Sequence, residues 1–257
     1  MSPKTDRKAS TPQAPARGAG AVRKPPARGA GAAGAIPADL PSALAALEGL
    51  ATKKTLDGMA RYGLPTERAL GVTVADIQKV ANGLGRSHTL AAKLWQNGLF
   101  EARMLAAYVD DPQEISAAQM ERWARDFDNW GICDTVCFVL FDRSPHAWKM
   151  VEAWAGRPEE YVKRAAFALL WGLTRHDKEA ADARFLRGLE LIEAGAQDQR
   201  HMVKKAVNMA LRATGKRNEA LRQAAAVVAR RLASSTSPTP RWVGKDALRE
   251  LAPKPQV

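Results

Sequence analysis

The sequence predicts an all-α protein built as a superhelix of stacked antiparallel helical hairpins. Between Asp39 and Leu232, apolar residues recur at helical spacing, and no alternating strand pattern of useful length interrupts them. The predicted helices are about 10 to 18 residues long with short loops, which brings successive helices together as antiparallel pairs. The paired unit of roughly 35 to 40 residues is typical of HEAT-like repeats. A compact helical bundle is the structural alternative, because the repeat carries no strong sequence identity.

Capping residues and helix breakers set the predicted helix boundaries. Thr73, followed three residues later by Asp76, indicates a helix start before an apolar pattern, and Ser116 caps a later helix. The other predicted helices are Thr89–Asn97, Phe100–Val109, Trp130–Phe141, Pro145–Ala155, Glu159–Leu173, Asp177–Ala194, Asp198–Thr214 and Lys216–Leu232. The Ser- and Pro-containing segment Ser234–Pro240 is expected to be a linker, followed by a short last helix at Lys245–Leu251.

Residues 1–36 differ from the rest of the chain in composition. The 257-residue chain has a formal net charge of +12, and this segment holds seven Lys or Arg residues against one Asp. It has almost no large apolar side chain, so we expect a disordered basic tail ahead of a folded domain at residues 37–257. The tail either adds non-specific nucleic-acid affinity through phosphate contacts or serves only as a solubilising segment.

The remaining composition limits the classes of function. Cys133 and Cys137, at i and i+4, are expected to be buried apolar side chains rather than a disulfide or a metal site. The histidines share no ligand-like spacing and are expected to be non-catalytic: His88, His146, His176 and His201. No apolar run of about 18 residues and no signal-like segment is present, so we expect a cytoplasmic protein with no membrane partner. No metal-ligand pattern and no phosphate-loop, dinucleotide or nucleophile-elbow motif is present, so we expect no metal and no small-molecule cofactor.

One acidic residue lies within the most apolar stretch of the chain. Asp134 is the only charged residue between Asp128 and Asp142. A desolvated carboxylate is costly unless it accepts hydrogen bonds or meets a positive charge. Trp130 lies four residues earlier, so a helix places its indole on the same face as the carboxylate. An acid beside an aromatic ring suits a cationic ligand; the alternative is an acid interacting with the helix dipole beside a core Trp.

Two predicted helices carry basic residues on the face opposite to their apolar residues. These faces are Lys205, Asn208, Met209 and Arg212 on the helix at 198–214, and Arg164, Ala168, Trp171 and Arg175 on the helix at 159–173. No acidic residue lies among the basic residues of either face, and this composition is typical of a phosphate-contacting surface. The indole between two guanidiniums is a candidate stacking surface. An ordinary solvent-exposed face is the alternative for each helix.

Several short motifs occur together along the chain. They are Met59–Gly63, Gly71-Val72, Leu94-Trp95 with Phe100–Ala106, Asp128–Asp134, Lys163–Ala166 and Lys204–Arg212. On these motifs the sequence resembles the AlkD-type DNA alkylation repair glycosylases from Leu56 to Leu251. The resemblance implies a superhelix of HEAT-like repeats that binds double-stranded DNA in a basic concave face. A nucleoid-associated monomer is expected.

The resemblance also implies an activity and the residues that carry it. The family excises cationic alkylated purines, such as 3-methyladenine and 7-methylguanine, by hydrolysis of the N-glycosidic bond in duplex DNA. Its catalytic Asp matches Asp134, its first Trp matches Trp130, and its Arg matches Arg164, whereas Met209 occupies the position of its second Trp.

Each of these residues has an expected role in that chemistry. We expect the Asp134 carboxylate to stabilise oxocarbenium character on the deoxyribose, and Trp130 to pack on the sugar. The expected DNA-binding residues are Arg164, Lys205, Asn208, Met209 and Arg212. Two alternatives stay open: a HEAT-repeat protein that binds DNA without excision, and a helical scaffold for protein–protein contacts.

Overall fold

The computed structural model describes residues 36–251, and within this range the chain forms thirteen α-helices, one 3-10 turn and no β-strand. The first seven helices are α1 (Leu40–Glu48), α2 (Lys53–Arg61), α3 (Val74–Leu84), α4 (His88–Asn97), α5 (Phe100–Val109), α6 (Ala117–Arg125) and α7 (Trp130–Val139). The last six are α8 (Ala147–Trp154), α9 (Glu160–His176), α10 (Asp182–Gly195), α11 (His201–Gly215), α12 (Glu219–Ala233) and α13 (Pro238–Leu251). The expected tail, residues 1–36, lies outside the described residues apart from Ile36, which packs against the core.

Several helix ends coincide with the predicted caps. The Thr73 hydroxyl accepts the backbone N–H of Asp76 at the start of α3, and the Ser116 hydroxyl accepts that of Gln119 at the start of α6. Helix α5 has the predicted bounds. These ends were predictable because a capping side chain satisfies backbone donors of its own segment.

The last helix differs most from its prediction. Helix α13 begins at Pro238, so the linker ends before Pro238 rather than at Pro240, and the last helix is longer than the expected Lys245–Leu251. In the first turn of a helix, proline lacks only an N–H that has no intrahelical acceptor, so Pro238 and Pro240 are compatible with a helix start. As a result, Trp242 belongs to a helix that packs against α11 and α12.

Most other predicted ends are displaced by one to three residues, and two displaced ends, in α7 and α10, have a local cause. Helix α7 ends at Val139 rather than Phe141, because Leu140 has non-helical dihedral angles, and a 3-10 turn follows at Phe141–Arg143. Helix α10 begins at Asp182 rather than Asp177. The Asp177 side chain accepts the backbone N–H of Ala180 at 3.0 Å, which stabilises a turn ahead of the helix.

The helices pack as two layers of stacked hairpins. Helices α3, α5, α7, α9, α11 and α13 each pack on the next member of this series, and we call them the odd layer. Helices α4, α8, α10 and α12 each pack on the odd-numbered helix that follows them in the chain. Because contacts run mainly between successive hairpins, the described residues form a repeat stack rather than the alternative compact bundle.

The apolar faces of the helices meet in a continuous core. Cys133 and Cys137 are fully buried in it, and their thiols lie 3.7 Å and 3.6 Å from the carbonyl oxygens of Tyr161 and Ala165. Burial raises the pKa of the Cys137 thiol, so that thiol stays protonated. The prediction that both cysteines are buried is confirmed. Within residues 36–251, no helix combines the length and apolarity needed to cross a membrane.

Candidate functional site

The carboxylate of Asp134 forms a bidentate ion pair with Arg164. The Arg164 Nε donates to Oδ1 of Asp134 at 2.9 Å, and Nη2 donates to Oδ2 at 2.7 Å. The remaining nitrogen, Nη1, donates to the carbonyl oxygen of Met202 at 2.7 Å. Arg164 is 4% exposed, and the Asp134 side chain is 14% exposed. The pair thus joins α7, α9 and α11 at one point, and the Asp134 side chain keeps only a small exposed fraction.

The ion pair keeps the Arg164 guanidinium positively charged. Burial disfavours the charge on Arg164, but attraction to Asp134 and its hydrogen bonds outweigh burial and raise the pKa of Arg164. The planar guanidinium engages both carboxylate oxygens in a defined orientation, and each oxygen keeps a further lone pair. A carboxylate held in this way can face positive charge that develops on a ligand without first reorganising.

Four side chains occupy equivalent positions in successive helices of the odd layer. Asp134, Arg164, Lys205 and Trp242 are the fifth residues of α7, α9, α11 and α13, and we call these four residues the fifth-position row. The N-terminal ends of these helices lie close to the row. Because helix N-termini carry partial positive charge, this edge of the layer favours an anion such as phosphate.

The indole of Trp130 is held by a loop distant in sequence. Its Nε1 donates to the carbonyl oxygen of Tyr62 at 3.1 Å, and the ring is partly exposed one turn before Asp134. Gly131 allows this approach, since an added Cβ would lie 2.9 Å from a methyl carbon of Leu64. The structure therefore pairs Asp134 with Arg164 and places Trp130 one turn before Asp134 on the same helix.

A buried glutamate holds the same loop in place. Glu101 is fully buried, and its carboxylate accepts the backbone N–H groups of Leu70, Gly71 and Val72 at 2.9, 2.8 and 3.2 Å. Gly71 has φ of +84°, and an added Cβ would lie 2.5 Å from the carbonyl oxygen of Thr52. Sequence reasoning placed Glu101 and Gly71 in motifs but gave neither a role, because their contact depends on packing between α5 and the loop.

The predicted basic face of α9 is buried at two of its four residues, and only Arg175 is exposed. Arg164 and Ala168 are 4% and 1% exposed, and the Trp171 ring packs edge-on against Phe138 with ring centroids 4.4 Å apart. On α11, Asn208 is 3% exposed, and its side-chain amide donates to the carbonyl oxygen of Val243 at 3.2 Å. The expectation that Arg164 and Asn208 lie on exposed faces is therefore wrong, because α7 and α13 cover them.

The expectation of an acid-free basic face on α11 is also wrong. Arg212 Nη1 lies 2.9 Å from an oxygen of Glu250 and 3.4 Å from an oxygen of Asp246, both on α13. Arg200 pairs with Asp198 at 2.6 Å, just before the helix. The acids come from a neighbouring helix and a preceding loop, so the residue pattern of α11 alone cannot reveal them.

Two lysines at the start of α11 contact an indole instead of an acid. The Nζ atoms of Lys204 and Lys205 each lie 5.2 Å from the ring centroid of Trp242 on α13. Met209 follows Lys205 by one helical turn and is partly exposed. Trp242 was missed as a site residue because its segment was expected to join a linker to a short helix.

Two histidines pair with buried aspartates. His88 Nδ1 lies 2.7 Å from Oδ1 of Asp110, and His176 Nδ1 contacts Asp142. Burial raises the pKa of both aspartates, and each histidine counteracts part of that effect. Within residues 36–251, no group of three or more potential metal-ligating side chains occurs.

Comparison with solved structures defines the class of fold. A solved structure described as "A new family of proteins related to the HEAT-like repeat DNA glycosylases with affinity for branched DNA structures" superimposes with a TM-score of 0.69 and 20% sequence identity. The match covers 82% of this chain and 94% of that chain. The fold is therefore a HEAT-like helical repeat, as the sequence predicts.

The sequence itself identifies the family. The family model described as "DNA alkylation repair enzyme" matches residues 43–251, and the chain belongs to that family. This match confirms the resemblance to the AlkD-type proteins. No protein of curated function matches the sequence.

Proposed function

We propose that this protein is a DNA glycosylase that hydrolyses the N-glycosidic bond of cationic alkylated purines, such as 3-methyladenine and 7-methylguanine, in duplex DNA. The observation that carries the proposal is the Asp134 carboxylate, which Arg164 orients through two hydrogen bonds while the Asp134 side chain stays 14% exposed. Trp130 lies one turn away on the same helix. The chain belongs to a DNA alkylation repair family, and an oriented carboxylate beside an indole suits a substrate whose damaged base carries a positive charge before it leaves.

The reaction needs no cofactor in this proposal. Alkylation gives the purine a positive charge, so it departs without a general acid. The electron pair of the C1′–N bond stays with the base, which leaves neutral, and positive charge develops on the deoxyribose. Asp134 stabilises that charge while the oxygen of water bonds to C1′ and the proton of water passes to solvent. Trp130 packs on the sugar and limits the access of other water.

The expected DNA-binding residues divide into three groups. Lys205 and Met209 are exposed and partly exposed, so we assign them to direct contact with the DNA. Arg164 acts by orienting Asp134, and Asn208 acts by fixing α13 through the carbonyl oxygen of Val243. Arg212 contacts phosphate only when it exchanges its partner Glu250 for the DNA.

A second candidate function is DNA binding without excision. Two observations favour it: both oxygens of Asp134 already accept hydrogen bonds from Arg164, and Met209 lacks the flat negative face with which an indole attracts a cation. The solved structure with the same fold is described as having affinity for branched DNA structures. The two candidates differ only in whether base is released.

The decisive experiment measures free methylated purine released from alkylated duplex DNA by the purified protein. We expect wild type to release base and Asp134→Asn to be slower by about 100- to 1,000-fold, the usual effect of removing a preorganised electrostatic interaction. The amide oxygen of asparagine still accepts a hydrogen bond from Arg164, but the buried Arg164 charge loses its counter-ion, so the variant is expected to be less stable than wild type. Its thermal transition and its affinity for duplex DNA are therefore measured beside base release, at a temperature at which the variant is folded. Met209→Trp is expected to raise the release of 7-methylguanine.

Asp198→Asn is the matched control. Asp198 also pairs with an arginine and its side chain is 8% exposed, but it lies outside the proposed catalytic group. This variant is expected to release base like wild type. If wild type and Met209→Trp bind DNA but release no base, the second candidate function is correct. If Asp134→Asn is as active as wild type, the assignment of the carboxylate is wrong.

A further inference from the structure

Two lysines of α11 lie beside the indole of Trp242, the last member of the fifth-position row. The Lys204 and Lys205 Nζ atoms are each 5.2 Å from the centroid of the Trp242 ring. Within residues 36–251, neither lysine has a carboxylate within 4.0 Å, whereas Arg200 and Arg212 of the same segment are both ion-paired. The charge of this pair of lysines is therefore available to a ligand.

Trp242 also differs from most of the other tryptophans. The indole N–H groups of Trp95, Trp130, Trp148 and Trp154 all donate to oxygen atoms of the protein. In the described part of the chain, the N–H of Trp242 has no acceptor, and it is not among the buried polar atoms that lack one. The ring is partly exposed. Part of the Trp242 ring is therefore free to contact a ligand.

The cluster adjoins the Asp134–Arg164 pair. Arg164 donates to the carbonyl oxygen of Met202, which lies on α11 shortly before Lys204. Burial, followed by repulsion from Lys205, Lys204 and Arg164, lowers the pKa of His201, as expected where several cations converge. On the other side, the hydrogen bond from Asn208 to the carbonyl oxygen of Val243 fixes the residue next to Trp242.

We propose that Trp242, Lys204 and Lys205 form a binding site for an unpaired nucleobase of DNA and its flanking phosphates. The proposal rests on the proposed function in one respect, that DNA is the ligand. An indole offers a flat face on which any base can stack, and the flexible ammonium groups can move from the ring to phosphates on either side. This combination is typical of surfaces that bind single-stranded nucleic acid.

The chemistry favours an unpaired base over a paired one. Inside a continuous duplex both faces of a base are covered by its neighbours, so only base edges and phosphates are accessible to side chains. At a gap, a flap or a branch point, a base face becomes free. We therefore expect the protein to prefer DNA that has a gap, a flap or a branch point next to the nucleotide opposite Asp134.

The experiment compares two probes of equal length, a continuous duplex and a duplex with a single-stranded gap that carries 2-aminopurine. We expect wild type to bind the gapped probe more tightly and to quench the 2-aminopurine fluorescence through stacking. Trp242→Leu should lose the quenching, and its affinity for the gapped probe should fall by roughly 5- to 150-fold, the range for removal of one stacking interaction. Its affinity for the duplex should fall by less.

Two further variants keep the result interpretable. Trp242→Phe retains an aromatic ring and should keep part of the quenching, which separates stacking from general damage to α13. Trp148→Leu removes an indole that also has a guanidinium over it, from Arg184 at 5.3 Å, but that lies on α8 in the other layer. This control should keep the preference for the gapped probe.

Each outcome bears on one proposal or on both. If wild type binds both probes equally, or if Trp242→Leu keeps the quenching, the Trp242 site is refuted while the glycosylase proposal stands. If wild type binds neither probe, both proposals fail. If the gapped preference and the quenching are lost in Trp242→Leu, partly kept in Trp242→Phe and kept in Trp148→Leu, the site is supported whether or not any base is released.

Discussion

At the scale of single residues, the Asp134–Arg164 pair is both the centre of the proposed chemistry and a structural contact. Arg164 is almost fully buried, so removing either partner leaves a charge or a set of donors without a match. We expect Arg164→Met to lower the free energy of unfolding by about 3–5 kcal/mol, because Asp134 then stays buried and unpaired. Urea denaturation measures this decrease.

A double variant tests whether the unpaired charge is the cause. Asp134→Asn combined with Arg164→Met removes both charges, so it should be less destabilised than Arg164→Met alone. Additive effects in the double-mutant cycle would mean that the two side chains contribute independently.

Because Arg164 faces the protein interior, Arg164→Met should also leave the salt dependence of duplex binding nearly unchanged.

At the scale of structural elements, the loop between α2 and α3 depends on one carboxylate of α5. Glu101 accepts three backbone N–H groups of residues 70–72, and the same loop supplies the carbonyl oxygen that holds the Trp130 indole. In Glu101→Gln the side-chain NH2 group would face these donors, so we expect the stability to fall by about 1–3 kcal/mol. Hydrogen exchange at residues 70–72 should become faster, and base release should fall because Trp130 is less firmly placed.

Glu193→Gln is a suitable control for this variant. Glu193 pairs with the exposed Arg231 at 2.7 Å, so its removal should change the stability by less than about 1 kcal/mol. Unchanged amide exchange at residues 70–72 in Glu101→Gln would show that other contacts hold the loop.

At the scale of the whole molecule, the positive charge is divided between two parts of the chain. Residues 1–36 hold seven Lys or Arg residues against one Asp, and this accounts for half of the net charge of +12. Deleting residues 1–35 should weaken duplex binding and reduce the slope of log K against log salt by about 0.9 for each phosphate that the shortened protein no longer neutralises. Base release at low salt should persist, since the deleted segment contains none of the proposed catalytic residues.

A chain of unchanged length is the control for the deletion. Replacing the seven basic residues of this segment by Gln removes the charge and should reproduce the smaller slope. If the deletion leaves the slope unchanged, the segment contacts no phosphate and the solubilising role is the better interpretation.

The sequence by itself determined the features that depend on neighbours within one or two helical turns. The helical class, the caps at Thr73 and Ser116, and the burial of Cys133 and Cys137 follow from local periodicity and side-chain chemistry. The motif pattern also identified the family, because several short motifs together are specific where each one alone is weak.

Only the tertiary structure decided which charges are paired and which indole is available. Arg164 meets Asp134 across 30 residues, and Arg212 meets Asp246 across 34, so neither contact is visible in the pattern of one helix. Trp242 joins the fifth-position row only because α13 starts at Pro238 and packs beside α11. The physical reason is that a local pattern fixes the face on which a side chain lies, whereas packing between helices fixes what that face meets.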